Sequence, residues 1–234
     1  MSVVAPLAQV QIRERGGDSC LAQNGFCPEW IVNNLGRYVE PFYEHVFLTL
    51  VSVAIGFVLA FALALVAHRR RWLTGPITAV TGALYTVPSI AAFVLLIPFT
   101  GRGILPGVIA LVAYTLLILF RNVTTGLRNV PAEIKDAAAG MGLTERQTLW
   151  RVELPLAVPE ILAGLRIATT TTIGLATLAF LAGSGGLGGV IYADINFKSN
   201  VVVAGGLAML LAAVCDLVIL GVQRLVTPWQ RARA

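Results

Sequence analysis

From Val46 to Ala67 the chain runs without a charged side chain, then meets His68-Arg69-Arg70-Arg71. About 20 apolar residues is the length an α-helix needs to cross the hydrocarbon core of a bilayer. No water reaches a backbone amide there, so a crossing segment must satisfy its own hydrogen bonds. Similar intervals follow at Trp72–Gly101, Ile104–Phe120, about Glu160–Ala182 and about Val201–Gln223. The predicted fold is therefore an all-α integral membrane protein of about five transmembrane helices. Charged residues make up only 12% of the chain, about half the share of a soluble domain, which excludes a soluble globular fold. The net charge of +5 is then no sign of nucleic acid, and the basic residues have to be sorted by side of the membrane.

That sorting fixes an orientation. With the N-terminus outside, Arg69 to Arg71, Arg121, Arg128, Lys135, Arg146, Arg151, Arg166, Arg224, Arg231 and Arg233 fall on the cytoplasmic side. Only Arg13, Arg15, Arg37, Arg102 and Lys198 fall outside. The inverted arrangement would violate the positive-inside rule. Residues 1–44 are expected to form an extracytoplasmic N-terminal tail, since they lack a signal-peptide pattern. Residues 45–224 form the membrane domain, and 225–234 a cytoplasmic tail. On the oxidising side of a membrane, Cys20 and Cys27 are expected to pair as a disulfide, with free thiols as the alternative. No metal set completes around them, because no histidine or third cysteine lies nearby.

Between the third and fourth spans lies Pro131–Pro159, the longest charged interval between two apolar runs. Pro131 suits a first helical turn, Glu133 favours a helix N-terminus, and Ala137 to Ala139 are strong helix formers. Gly140 and Gly142 predict a stop. Thr144 and Gln147 predict a capping box that opens a second helix, which Pro155 and Pro159 are expected to end. The elbow carries Met141, Leu143, Leu149 and Trp150 on a loop otherwise facing water, so it needs a partner surface. That surface is either the bilayer or a cytosolic protein.

The spacing of Asp136, Ala137, Ala138, Gly142, Val152, Leu154 and Pro155 resembles the EAA loop of ABC-importer permeases. Asp136 stands for the usual Glu, and Val152 for the usual Ile. The resemblance covers about Glu44 to Arg224 and implies the type I importer permease fold. It further implies that the loop is a coupling helix seated on a separate ATP-hydrolysing subunit. Asp136, Ala137, Ala138, Gly140, Met141, Gly142, Leu143 and Pro155 are then the coupling residues, with Ala138 and Gly140 to Leu143 as the docking surface. The implied partners are a cytosolic ATPase dimer, a second permease chain (the same or paralogous) and an extracytoplasmic substrate-binding protein, in a bacterial cell membrane. ATP and Mg belong to the ATPase partner, and no cofactor is expected in this chain. It has no Gly-Lys-Ser/Thr phosphate loop of its own. Leu84-Tyr85-Thr86-Val87-Pro88-Ser89 and Leu178-Ala179-Phe180-Leu181-Ala182-Gly183 resemble the osmoprotectant branch, which imports quaternary amines such as glycine betaine, carnitine and choline. Gly185-Gly186-Leu187-Gly188 also resembles permeases for methionine and phosphonates, so a methionine permease is the nearer alternative. A secondary transporter is the more distant one, opposed by the elbow and by the lack of inverted repeats.

Within the spans, Asp216 is an acid in an apolar helix and demands a partner. Counted from the cytoplasmic edge, Arg166 lies at the same depth, which predicts an Arg166–Asp216 pair. The run Thr169 to Thr172 bonds back to its own helix or lines a polar pathway, with Thr169 and Thr172 as candidates. Pro88 is expected to kink or break the second span, for packing or for the pathway. Gly183 to Gly189 formally contains GxGxxG but follows no strand, so a tight bend is expected rather than a dinucleotide site. His45 and His68 are expected at the membrane interfaces, and Cys215 as a small apolar helix residue. No arrangement of nucleophile and base, or of paired carboxylates, predicts a catalytic centre.

Overall fold

The computed structural model describes residues 20, 21 and 23–229, and most of the expected tail lies outside them. Ten α-helices account for most of the described chain, and no strand occurs among the described residues. They are α1 (Pro28–Asn33), α2 (Val39–Arg69), α3 (Thr74–Thr86), α4 (Ser89–Thr100), α5 (Ile104–Arg128), α6 (Ala132–Gly140), α7 (Glu145–Thr148), α8 (Leu154–Ala176), α9 (Leu187–Ala193) and α10 (Lys198–Val226). Three segments are long and apolar enough to cross a membrane: Leu35–Arg69, Ile104–Arg128 and Lys198–Val226. The pair α3 and α4, with its preceding turn, makes a fourth that is bent by 95°. The break falls at Val87-Pro88, both extended. It is held there by the Tyr114 hydroxyl, which donates to the Val87 carbonyl.

Helix α8 has 23 residues but is not among the strongly apolar helices, because it carries Glu160, Arg166 and four threonines. It packs against α2, α5 and α10, so much of its surface meets protein rather than lipid. Of the expected five spans, the first, third and fifth fall on the three apolar helices and the second on the bent pair, while the fourth falls on α8. The helices also overrun the expected spans. Helix α5 continues past Arg121 to Arg128, because Val123, Gly126 and Leu127 stay buried while Arg121 and Arg128 keep solvent exposure. Helix α8 ends at Ala176, and a short 3-10 turn (Ala179–Ala182) takes up the rest of the predicted span.

Helix α5 is the centre, packed on α2 and α8. Leu119, Phe120, Val123 and Leu127 form a core with Ala60, Ala64, Ala157 and Ile161. In a bilayer an apolar side chain gains little by leaving lipid, so close approach and van der Waals fit must hold such helices together. Glycine permits that approach. A Cβ at Gly126 would lie 3.1 Å from the Ala157 carbonyl oxygen, and one at Gly164 would lie 2.4 Å from the Asn122 Cβ.

The boundary expected at residue 44 falls inside α2, and the segment before it is built onto the start of α10. Cys20 and Cys27 are joined by a disulfide. The Cys27 amide donates to Ser199 Oγ (2.6 Å), whose hydroxyl donates to the Gly25 carbonyl (3.1 Å). Trp30 meets Phe197 edge-on at 4.6 Å. The Tyr38 hydroxyl donates to Asn200 Oδ1 (3.0 Å), and Asn200 Nδ2 donates to the Val190 carbonyl (2.6 Å). His45 is fully buried within the chain, with Nε2 3.1 Å from the Ile173 carbonyl oxygen. That partner lies on α8, which sequence periodicity does not register.

The glycine run makes the sharp bend between α8 and α9. Gly183, Gly185 and Gly186 all have φ between 75° and 88°, in the left-handed region, and the Gly186 amide donates to Glu44 Oε2 at 2.8 Å. Gly188 faces the backbone of the preceding turn, where a Cβ would lie 1.7 Å from the Thr177 carbonyl oxygen. A backbone atom cannot rotate away. Gly188→Ala is therefore expected to destabilise the chain by about 1–3 kcal/mol or more, whereas Gly206→Ala, with nothing within 4 Å, is near neutral. Thermal unfolding of the detergent-solubilised variants checks the contrast.

Candidate coupling elbow and intramembrane ion pair

The elbow begins with Pro131 as the N-cap of α6, just outside the first turn. Helix α6 ends in a Schellman motif: the Gly142 amide donates to the Ala139 carbonyl (2.9 Å), and the Leu143 amide to the Ala138 carbonyl (3.1 Å). Of the two glycines expected to stop this helix, Gly142 does so, with φ +81°. Gly140 is simply its last helical residue. Helix α7 opens with the capping box, Thr144 Oγ1 accepting from the Gln147 amide and Gln147 Oε1 from the Thr144 amide.

The second arm does not end at Pro155 or Pro159. Helix α7 passes through a π-helical turn, Leu149–Glu153, directly into α8. The Leu154 amide donates to Leu149, five residues back. This wider turn accommodates Pro155, whose missing amide and bulky ring disfavour ordinary helical continuation. Pro159 then sits inside α8, buried, and its carbonyl accepts from Gln223 Nε2 of α10 at 3.4 Å.

The apolar residues of the elbow divide by burial. Met141 is 73% exposed and Trp150 51% exposed, while Leu149 is buried in the core and Leu143 is half-buried. Ala138, expected on the docking surface, is buried beneath the elbow, so it supports the turn rather than meeting a partner. Asp136, Ala137, Gly140 and Gly142 are exposed, and Pro155 is half-buried.

Beneath the elbow lies a charge cluster that periodicity misses. Glu153, in the π turn, is buried. Its Oε2 lies 3.0 Å from Lys135 Nζ of α6 and 3.1 Å from His68 Nε2 at the end of α2. These are ion-pair distances without hydrogen-bond alignment. One carboxylate thus ties both arms of the elbow to α2. The signal available in the sequence was an acid set between Val152 and the apolar run that follows from Leu154. His68, at the end of α2, is thereby a partner of the elbow.

In the spans, Arg166 of α8 and Asp216 of α10 form a bidentate pair, Nε to Oδ1 and Nη2 to Oδ2, each 2.7 Å. The threonine run bonds back along its own helix: Thr169 to Leu165 (2.8 Å), Thr170 to Arg166 (3.0 Å) and Thr172 to Ala168 (2.7 Å). Thr169 and Thr172 are buried within this chain, which places them in helix packing and away from an open surface. Pro88 is exposed at the break of α3 and α4. Among the described residues no cluster of His, Cys, Asp and Glu is placed to hold a metal.

A paired Arg166 and Asp216 should behave as a unit. Arg166→Gln and Asp216→Asn are each expected to lower the melting temperature of the solubilised protein, and the double variant to lower it by less than their sum. Strict additivity would mean that the pair holds nothing.

Comparison with known proteins places the chain in a family. The family model for the binding-protein-dependent transport system inner membrane component matches residues 52–232. The choline transport system permease protein OpuBB of Bacillus subtilis is 35% identical over 86% of this chain and 93% of its own length. The glycine betaine/carnitine/choline transport system permease protein OpuCB of the same organism is 33% identical over 85% of this chain and 93% of its own. The osmoprotectant import permease protein OsmW of Salmonella typhimurium is 34% identical over 85% and 96%. In fold, the chain is similar to a chain of the inward-facing MetNI methionine ABC transporter. The TM-score is 0.72, with 23% identity over 86% of this chain and 100% of that one. With a family model that spans most of the chain, and relatives above 30% identity that match 85–86% of it, the chain belongs to the family of inner membrane components of binding-protein-dependent transport systems.

Proposed function

We propose that this chain is the permease subunit of an ATP-driven importer of quaternary-amine osmoprotectants, the class that includes choline, glycine betaine and carnitine. The observation that carries the reading is the agreement among its similar relatives, which are named for those solutes along nearly their whole length. In this reading two permease chains, identical or paralogous, enclose the pathway. An extracytoplasmic binding protein delivers solute, and a cytosolic ATPase dimer, which carries ATP and Mg, drives the cycle.

The elbow is the docking element. Met141 and Leu143 present the apolar contact, with Asp136, Ala137, Gly140 and Gly142 around them, while Ala138 and Pro155 support the turn from behind. Because α7 runs through the π turn into α8, a displacement of the elbow is delivered to α8 without a flexible joint. The Arg166–Asp216 pair passes it to α10, and Glu153 passes it to α2. The disulfide between Cys20 and Cys27 supports an N-terminal segment on the oxidising side. The basic residues at the elbow-side helix ends support a cytoplasmic elbow.

The complete transporter, reconstituted with its ATPase and binding protein, is expected to take up labelled glycine betaine or choline only with ATP, and excess methionine should leave the rate unchanged. Competition by methionine would replace the substrate class with that of the MetNI-like alternative. Uptake without any ATPase would overturn the importer reading itself.

A further inference from the structure

The elbow-side ends of α2, α3 and α5, with the start of α6, enclose a cavity of about 390 Å³. Its lining includes His68, Arg71, Thr74, Arg128 and Lys135 and no acidic residue. An adjoining cleft of about 660 Å³ shares His68, Arg71 and Lys135, and adds Asp136, Glu145, Glu153, Arg69 and Arg146. Of the acids there, Glu153 alone comes within ion-pair distance of a cavity cation, and it is shared between His68 and Lys135. Among the described residues, Arg71 and Arg128 have no ion-pair partner.

Lys135 already meets Glu153 (3.0 Å) and the Leu127 carbonyl (3.4 Å). Arg71 and Arg128, both exposed, leave the lining with two guanidinium charges that no carboxylate offsets, and like charges around one space favour an anion between them. Planar guanidinium forks match the oxygens of a phosphate in bidentate fashion, and an ammonium adds a point charge. Thr74 also lines the cavity. The cavity also lies where an apolar helix ends: Trp72, next to Arg71, is 70% exposed, as an indole is at the headgroup level of a bilayer. Basic pockets between helix ends at that level suit phosphate-bearing headgroups.

We propose that this cavity binds a phosphate oxyanion, carried by an anionic phospholipid headgroup or by free phosphate, through Arg71, Arg128 and Lys135. Lys135 belongs to the first arm of the elbow and also touches Glu153. Occupancy therefore ties the elbow to the turn between α2 and α3, which carries Arg71, and to the end of α5, and makes its position sensitive to the anion. The site stands on this lining alone and does not require the coupling role of Met141.

The test uses the complete transporter in phosphatidylcholine nanodiscs, with labelled phosphatidylglycerol as one probe and inorganic phosphate as the other. Binding is read by fluorescence for the lipid and by the shift in unfolding temperature for phosphate. Arg71→Gln/Arg128→Gln is compared with Arg70→Gln/Arg121→Gln, which removes the same charge from exposed positions outside the cavity. Phosphatidylglycerol is expected to bind about tenfold more weakly to the cavity variant, the loss of at least one charge-assisted contact, and unchanged to the control. The same contrast with inorganic phosphate alone would assign the site to the free ion. Equal losses in both variants, or no loss in either, would overturn the site. Should the double variant fail to assemble, Arg128→Lys keeps the charge but removes the fork, and is expected to weaken binding of the effective probe.

Discussion

Where α5 crosses α2 and α8, the helices meet over glycine and alanine with no room for another carbon. Gly56 faces Thr115, Gly126 faces Ala157 and Glu160, and Gly164 faces Asn122. Lipid is as apolar as leucine, so hydrophobic transfer contributes little to holding such helices together. Contact density does that work, and it is available only where side chains are absent. This three-helix contact sets the frame in which the polar parts of α8 are tolerated. Surrounded by protein, α8 can carry a threonine run that closes on its own carbonyls and an arginine that meets Asp216.

The same frame gives the elbow its mechanical character. A loop of this length between two spans would be slack if its second helix ended at Pro155. The π turn instead carries the helical path past that proline and into the bundle. The buried carboxylate of Glu153 then fastens the turn to the first arm and to α2. The elbow is thus one end of α8, anchored from behind and apolar in front.

Much of this was legible in the sequence. The uncharged runs, the basic stop after Ala67, the elbow and its capping box all rest on local patterns, and the structure has them. The depth count that matched Arg166 to Asp216 succeeded because both residues lie on regular helix. What escaped was non-local or depended on register. A proline usually ends a helix, and only a change of helical pitch, invisible to propensity, carries the chain past Pro155. Ala138 reads as an exposed motif residue until the turn folds over it. His45 meets a carbonyl on α8, and Glu153 meets groups from α2 and α6; neither pairing has a periodicity to reveal it. The span count blurred for a physical reason as well, since a helix enclosed by others need not be apolar.

Met141, at the exposed tip of the elbow, is the residue proposed to sit against the ATPase subunit. The direct measurement is site-specific cross-linking in the assembled transporter. A cysteine replaces Met141 in a Cys215→Ala background, and a short bifunctional reagent joins it to the ATPase. A permease–ATPase adduct is expected through this position, formed in transporter that still takes up solute with ATP. No adduct from Met141→Cys in a complex that assembles and transports, with adducts forming instead from another cytoplasmic segment, would contradict it.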